Sequence, residues 1–136
     1  MIDKEIIKIA SNTENYGVLN NHTHFSKLKN SICGDDMKIY LIVKNDKITN
    51  FKYECESCIY CQASVSLLSR KAKNKSIEKI KNLAVQAKNC FEKDRNSFDK
   101  EWNGFDKLMT KNNIARKECL LLPLNTTLDA LNKKSL

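Results

Sequence analysis

Three short stretches carry the cysteines best placed to do chemistry: Cys33-Gly34-Asp35, Ser57-Cys58-Ile59-Tyr60-Cys61-Gln62-Ala63-Ser64 and Arg116-Lys117-Glu118-Cys119. No single local metal loop explains thiols scattered in this way, and they read as one site assembled from three places. Thiolates are soft ligands that select zinc, copper(I) or iron-sulfur clusters. A hard carboxylate from Asp35 beside them makes a mixed donor set with a weaker grip on its metal, which suits a site that hands over its contents.

The remaining cysteines and histidines compete for attention less well. Cys55-x-x-Cys58-x-x-Cys61 imitates the start of a ferredoxin cluster loop, but no fourth cysteine followed by proline completes it. Cys55 is expected on a strand, committed to a sheet face as a packing residue. Cys61, one helical turn after Cys58, is either an auxiliary thiol at the site or a small core residue. Cys90 falls on the apolar stripe of a predicted helix and reads as a buried, inert thiol. His22 and His24 would share a strand face, yet surface histidines near a strand end seldom do anything specific. No Ser-His-Asp set or paired-carboxylate spacing is visible, and three glycines are too few for a phosphate cradle.

The composition bounds the setting. At 136 residues the chain is the size of one domain, 1–136, able to bury a core without disulfide staples. Met1 to Ala10 lacks the charged-then-apolar order of a signal peptide, and no apolar run approaches the roughly 18 residues of a membrane span. A soluble, cytoplasmic protein is therefore expected, where thiols stay reduced and six cysteines are better ligands or core residues than bridges. The 24 Lys+Arg against 16 Asp+Glu give a net charge of +8, which favours acidic partners. The lysines are dispersed rather than interleaved with aromatics, so neither nucleic acid nor membrane is expected as a partner.

The elements that must position the thiols follow from hydrophobic period. Ile2, Ile6, Ile7 and Ile9 sit near helical spacing and predict a short helix ending before Asn15-Tyr16-Gly17. Thr23 to Lys29, Met37 to Val43 and Ile48 to Tyr53 read as three strands of an antiparallel meander, with Asn45-Asp46 turning the last two. From about Cys61 the chain becomes helical, with Val65, Leu67, Leu68 and Ala72 on one stripe. Ser76 caps a second helix reaching Cys90 and Phe91. The span Glu92 to Gly104 reads as a loop or short helix, with Trp102, Phe105, Leu108 and Met109 anchoring it. A final helix is expected from about Cys119 or Leu120 to Leu131, with Leu121, Leu124, Leu128 and Leu131 inward and Pro123 confined to its first turn. The class is α+β, a three-stranded antiparallel sheet with helices on one face, and every candidate thiol falls at an element end.

In that order and at those intervals, Cys33-Gly34-Asp35, Ser57-Cys58, Ala63-Ser64-Val65-Ser66 and Arg116 to Cys119 resemble the U-type iron-sulfur cluster assembly scaffolds, comprising the NifU N-terminal domain, IscU and SufU. The long interval from Cys58 to Cys119 is most similar to the SufU-like branch. Ser57 stands where glycine is usual, Cys61 where serine or glycine is usual, and Glu118 where the family has His or Lys. Asn112-Asn113-Ile114-Ala115-Arg116 replaces the Pro-Pro-Val-Lys segment of IscU, so no dedicated Hsp70 partner is implied.

What the resemblance implies is specific. Cys33, Asp35, Cys58 and Cys119 would be the metal and cluster ligands. Cys119, near a helix N-terminus and close to Lys117, would have a lowered pKa and accept sulfane sulfur as a persulfide. Glu118 is an alternative oxygen ligand or, more ordinarily, a solvated side chain. The implied partners are a cysteine desulfurase and acceptor apoproteins, and the implied cargo is iron or a transient [2Fe-2S] cluster. Zn2+ in a tetrahedral site is the alternative occupant, either in a zinc-dependent sulfur acceptor or in a structural zinc module that binds acidic macromolecules.

Overall fold

The computed structural model describes residues 3–93 and 98–133. Strands β1 (His24–Lys29), β2 (Asp36–Lys44) and β3 (Lys47–Glu56) form one antiparallel sheet in the order β1-β2-β3. Asn45 and Asp46 turn the second hairpin at φ 52° and 62°, the left-handed pair that a two-residue turn of matching twist requires. β3 runs to Glu56, beyond the expected Tyr53, because Met37, Lys38 and Asp36 of β2 continue the ladder opposite Cys55, Glu54 and Glu56.

Alternation decides the two sheet faces. Met37, Ile39 and Leu41 pair with Cys55, Tyr53 and Phe51 on the face that the helices cover. Phe25 and Tyr40, with ring centroids 5.1 Å apart, lie on the other. α5 (Lys117–Asn132) crosses β1 and β2, and α2 (Ile59–Lys71) lies against β3, α5 and α1 (Lys4–Ala10). Ser26 of β1 donates a hydrogen bond to Asp129 of α5, fixing that crossing.

α1 is capped by Asp3, whose Oδ1 accepts the Glu5 N–H at 2.9 Å. Of its expected stripe, Ile6 and Ile9 turn inward, Ile7 is 46% exposed, and Ile2 lies outside the described residues. α2 departs from the single stripe expected for it. Cys61, Ala63, Ser64, Val65, Ser66, Leu67, Leu68 and Ser69 are all buried, so this is a central helix covered on every side. Its serines answer their own polarity: Ser64 donates to the Leu120 carbonyl at 2.7 Å and Ser66 to the Asn12 carbonyl at 2.6 Å. Small hydroxyl side chains thus let α1 and α5 approach closely, while Val65, Leu67 and Leu68 each contribute roughly 1.5–3 kcal/mol of burial.

Ser76 caps α3 (Ile77–Lys93) as expected, its hydroxyl accepting the Lys79 N–H at 3.2 Å. Residues 94–97 of the span after it lie outside the described residues. A short 3-10 turn, Lys100–Trp102, and α4 (Phe105–Leu108) follow, and Trp102, Phe105, Leu108 and Met109 are buried as the anchor. α5 corrects the expected boundary. It begins at Lys117, directly after the 3-10 turns Lys111–Arg116, which leaves Pro123 in its second turn rather than its first. Pro123 cannot donate to the Cys119 carbonyl, but Leu120, Leu121, Leu122 and Leu124 are buried around it, and that packing holds the helix through the missing bond.

Candidate metal centre

Three chain segments meet at the end of the sheet where β1 turns into β2. Gly34 sits at φ +74°, a left-handed conformation that any other residue would adopt under strain, although a Cβ there would meet open space. The backbone thus demands the glycine of Cys-Gly-Asp. The turn lets Cys33 and Asp35 face the same way, with the Cys33 thiol donating to Asp35 Oδ2 at 3.2 Å.

Cys119, in the first turn of α5, reaches the same point. Its Sγ lies 2.9 Å from Cys33 Sγ, and the ligand atoms of Cys33, Asp35 and Cys119 all fall within 4.8 Å of one another. Cys58 is the N-cap of α2, and its backbone N–H donates to Asp35 Oδ1 at 3.1 Å. Cys58 is near enough to contribute to the upward shift of the Cys119 pKa, but its sulfur is not in the tight group of Cys33, Asp35 and Cys119. Two helix N-termini therefore converge here, an arrangement that favours negative charge.

The donor set fits a soft or borderline cation. Sulfurs bound to one tetrahedral zinc at about 2.3 Å each lie about 3.8 Å apart, so Cys33 and Cys119 need only part by about 1 Å to share an ion. Cys33 is exposed, whereas Asp35 and Cys119 are buried, so the group has a solvent-reachable side.

The expected lowering of the Cys119 pKa does not hold in the metal-free group. Burial pushes this thiol up, and the neighbouring Cys33, Cys58 and Asp35 push it further the same way. Desolvation and the neighbouring thiols and carboxylate outweigh the helix N-terminus. Both influences favour the thiol form of Cys119, and a thiolate ligand must give up its proton to bind a metal ion.

The other candidates separate from the site. Cys61 is fully buried in the core with its pKa raised chiefly by burial, because α2 starts at Ile59 and turns it inward. Cys55 lies on β3 facing the core, so the ferredoxin-like run is split between a strand, a cap and a helix. Cys90 is buried at 1% exposure. Glu118 is exposed and lies outside the Cys33, Asp35 and Cys119 group. His22 and His24 do not share a strand face: His22 precedes β1 and packs on Phe25 and Tyr40, while His24 registers with core-facing Leu41.

One residue at the site escaped sequence reasoning. Asn30, 8% exposed, directs its amide Nδ2 at Cys33 Sγ from 2.9 Å. Its position three residues before Cys33 was the available signal, but an asparagine before a turn ordinarily signifies only the turn.

The 2.9 Å approach of Cys33 and Cys119 has a direct chemical consequence. Dilute hydrogen peroxide is expected to oxidise the exposed Cys33 to a sulfenic acid, which Cys119 then displaces as water to form a disulfide. Peptide mass spectrometry should find Cys33 linked to Cys119 with two hydrogens lost, and metal-loaded protein should be protected. Cys33 oxidised without that link would contradict the geometry.

Comparisons with known proteins agree with this architecture. The family described as NifU-like N terminal domain matches residues 1–95, which include Cys33, Asp35 and Cys58. The iron-sulfur cluster assembly scaffold protein IscU of Thermotoga maritima is 29% identical over 135 residues, 99% of this chain and 95% of that protein. The iron-sulfur cluster assembly scaffold protein assigned to the SUF system of Fervidobacterium islandicum AW-1 superposes with a TM-score of 0.85 at 26% identity, covering 96% of each chain. The N-terminal NifU-like protein of Brucella abortus shares the fold, with a TM-score of 0.86 at 20% identity over 95% of this chain and 90% of that one. With its three-stranded sheet, its helix-covered face and the match over most of its length, the chain belongs to the NifU-like N-terminal domain family.

Proposed function

We propose that this protein is an iron-sulfur cluster assembly scaffold, in which Cys33, Asp35, Cys58 and Cys119 hold iron, build a labile [2Fe-2S] cluster and release it to apoproteins. The observation that carries this reading is the convergence of Cys33, Asp35 and Cys119 ligand atoms within 4.8 Å, on one open side of the fold. The relatives' roles in iron-sulfur cluster assembly support it.

Sulfur arrives from a cysteine desulfurase. The Cys119 thiolate attacks the terminal sulfur of the donor's persulfide, a new S–S bond forms on Cys119, the donor's S–S bond breaks, and the donor cysteine leaves as thiolate. Cys119 is buried, so the donor's persulfide has to be brought to it, and its thiol gives up its proton as it attacks. Cys33 is the exposed edge by which the donor reaches the group.

Anaerobic incubation with ferrous iron, a cysteine desulfurase, cysteine and a thiol reductant, which supplies the electrons that take sulfane sulfur to sulfide, tests the reading. A visible-absorbing cluster that moves to an acceptor apoprotein is the expected result. Sulfur acceptance that requires retained zinc, with no cluster formed, would instead establish a zinc-dependent sulfur acceptor using the same four residues. Unfolding on chelation would point to a structural zinc module. The opposite is expected, because most of the buried core between the helices and the sheet, including Phe51, Leu68, Leu83, Trp102 and Leu124, is apolar and is no part of the candidate ligand set.

A further inference from the structure

The loop from β1 to β2 is tied together by Asn30. Its backbone N–H donates to the Asp35 carbonyl at 2.8 Å, and its own carbonyl accepts the Gly34 N–H at 2.7 Å. Its side-chain Oδ1 accepts the Ile32 N–H at 3.0 Å. That last bond settles which way the amide faces: with Oδ1 occupied by a donor, Nδ2 must point at the sulfurs. Nδ2 lies 2.9 Å from Cys33 Sγ and 3.9 Å from Cys119 Sγ, so one NH2 group bears on thiols from two separate elements.

We propose that Asn30 is a positioning residue of the thiolate site, whose side-chain amide donates to the Cys33 and Cys119 sulfurs and sets how strongly they bind a metal. This rests on the reading that those sulfurs hold the metal. Asp35 can only accept from a thiol at this locus, whereas Asn30 supplies donors that a metal-bound thiolate still uses. Hydrogen bonds to a ligating sulfur orient it and draw electron density from it. A buried amide at this point therefore holds two thiolates in register and weakens their donation, which fits a cargo that must leave.

Cobalt(II) titration of the apo-protein reads this out, because thiolate-to-cobalt charge transfer reports sulfur donor strength directly. Asn30→Ser keeps a short side-chain oxygen for the Ile32 N–H but cannot extend an amide to the sulfurs. Asn30→Ala loses both functions. Both variants are expected to move the charge-transfer band to lower energy and to change cobalt affinity by about tenfold, the scale of outer contacts to metal ligands. Circular dichroism should show an intact fold in N30S.

If N30S behaves as wild type while N30A shifts, Asn30 serves only the turn and the proposal is overturned. Affinity changes without a band shift, or no change in either variant, overturn it equally. A wild-type protein with no thiolate band would instead refute the metal reading, and this inference with it.

Discussion

Cys119→Ala is expected to leave the anaerobically purified protein without stoichiometric metal and unable to retain a reconstituted cluster. Structural zinc sites of four ligands are worth roughly 10–16 kcal/mol, so one ligand carries on the order of 3 kcal/mol, about a hundredfold in affinity. Cys119 has no substitute, since Cys61 is turned into the core and Glu118 is exposed outside the group. The fold should persist, because the deleted atom is one small sulfur in the first turn of α5 while the buried leucines after it are untouched. Metal analysis with a competing chelator measures the effect. A full complement of metal in C119A would remove Cys119 from the ligand set.

Changing Asp35 is expected to act on release rather than on loading. The three thiolates keep their hold, while the one hard donor, which exchanges most readily, is gone. Transfer from cluster-loaded Asp35→Ala to an acceptor should slow by roughly tenfold, comparable with other changes around metal ligands. The structure adds a second role that must be separated, because Asp35 Oδ1 also accepts the Cys58 N–H at 3.1 Å. Asp35→Asn retains an oxygen for that bond while removing the anionic ligand. Slow transfer in both variants identifies Asp35 as the exchanging ligand. Slow transfer in D35A alone would mean that it merely anchors Cys58, and unchanged transfer in both would refute either role.

These two substitutions act so differently because of where the side chains stand. Cys119 is delivered from the start of a buried helix that Ser64 pins through the Leu120 carbonyl. Asp35 belongs to a loop whose shape depends on Gly34 and Asn30. One candidate ligand thus stands on a helix and the other on a turn, so the two substitutions disturb different elements.

Much of this fold follows from local chemistry alone. Asn45-Asp46 marked a tight hairpin, Ser76 marked a helix start, and Met37 to Val43 read as a strand, because each depends on neighbours a few residues away. Cys33 and Asp35 were likewise legible as a soft and a hard donor two residues apart. The companions of those donors were legible as residue types in order, through resemblance, but not as distances.

What escaped was whatever depends on residues distant in the chain. Burial of α2 on all sides, serines included, follows from α1 and α5 closing on it. The survival of α5 through Pro123 follows from packing that outweighs one absent hydrogen bond. The inward turn of Cys61, the amide of Asn30 aimed at two sulfurs, and the upward shift of the Cys119 pKa all arise from long-range assembly. Residue order and spacing were enough to establish the fold class and nominate the donors, since propensity and period are short-range properties. Which thiols meet, which are buried and which stay protonated were settled by the packing of helices on the sheet, because burial and electrostatics are sums over the whole folded neighbourhood.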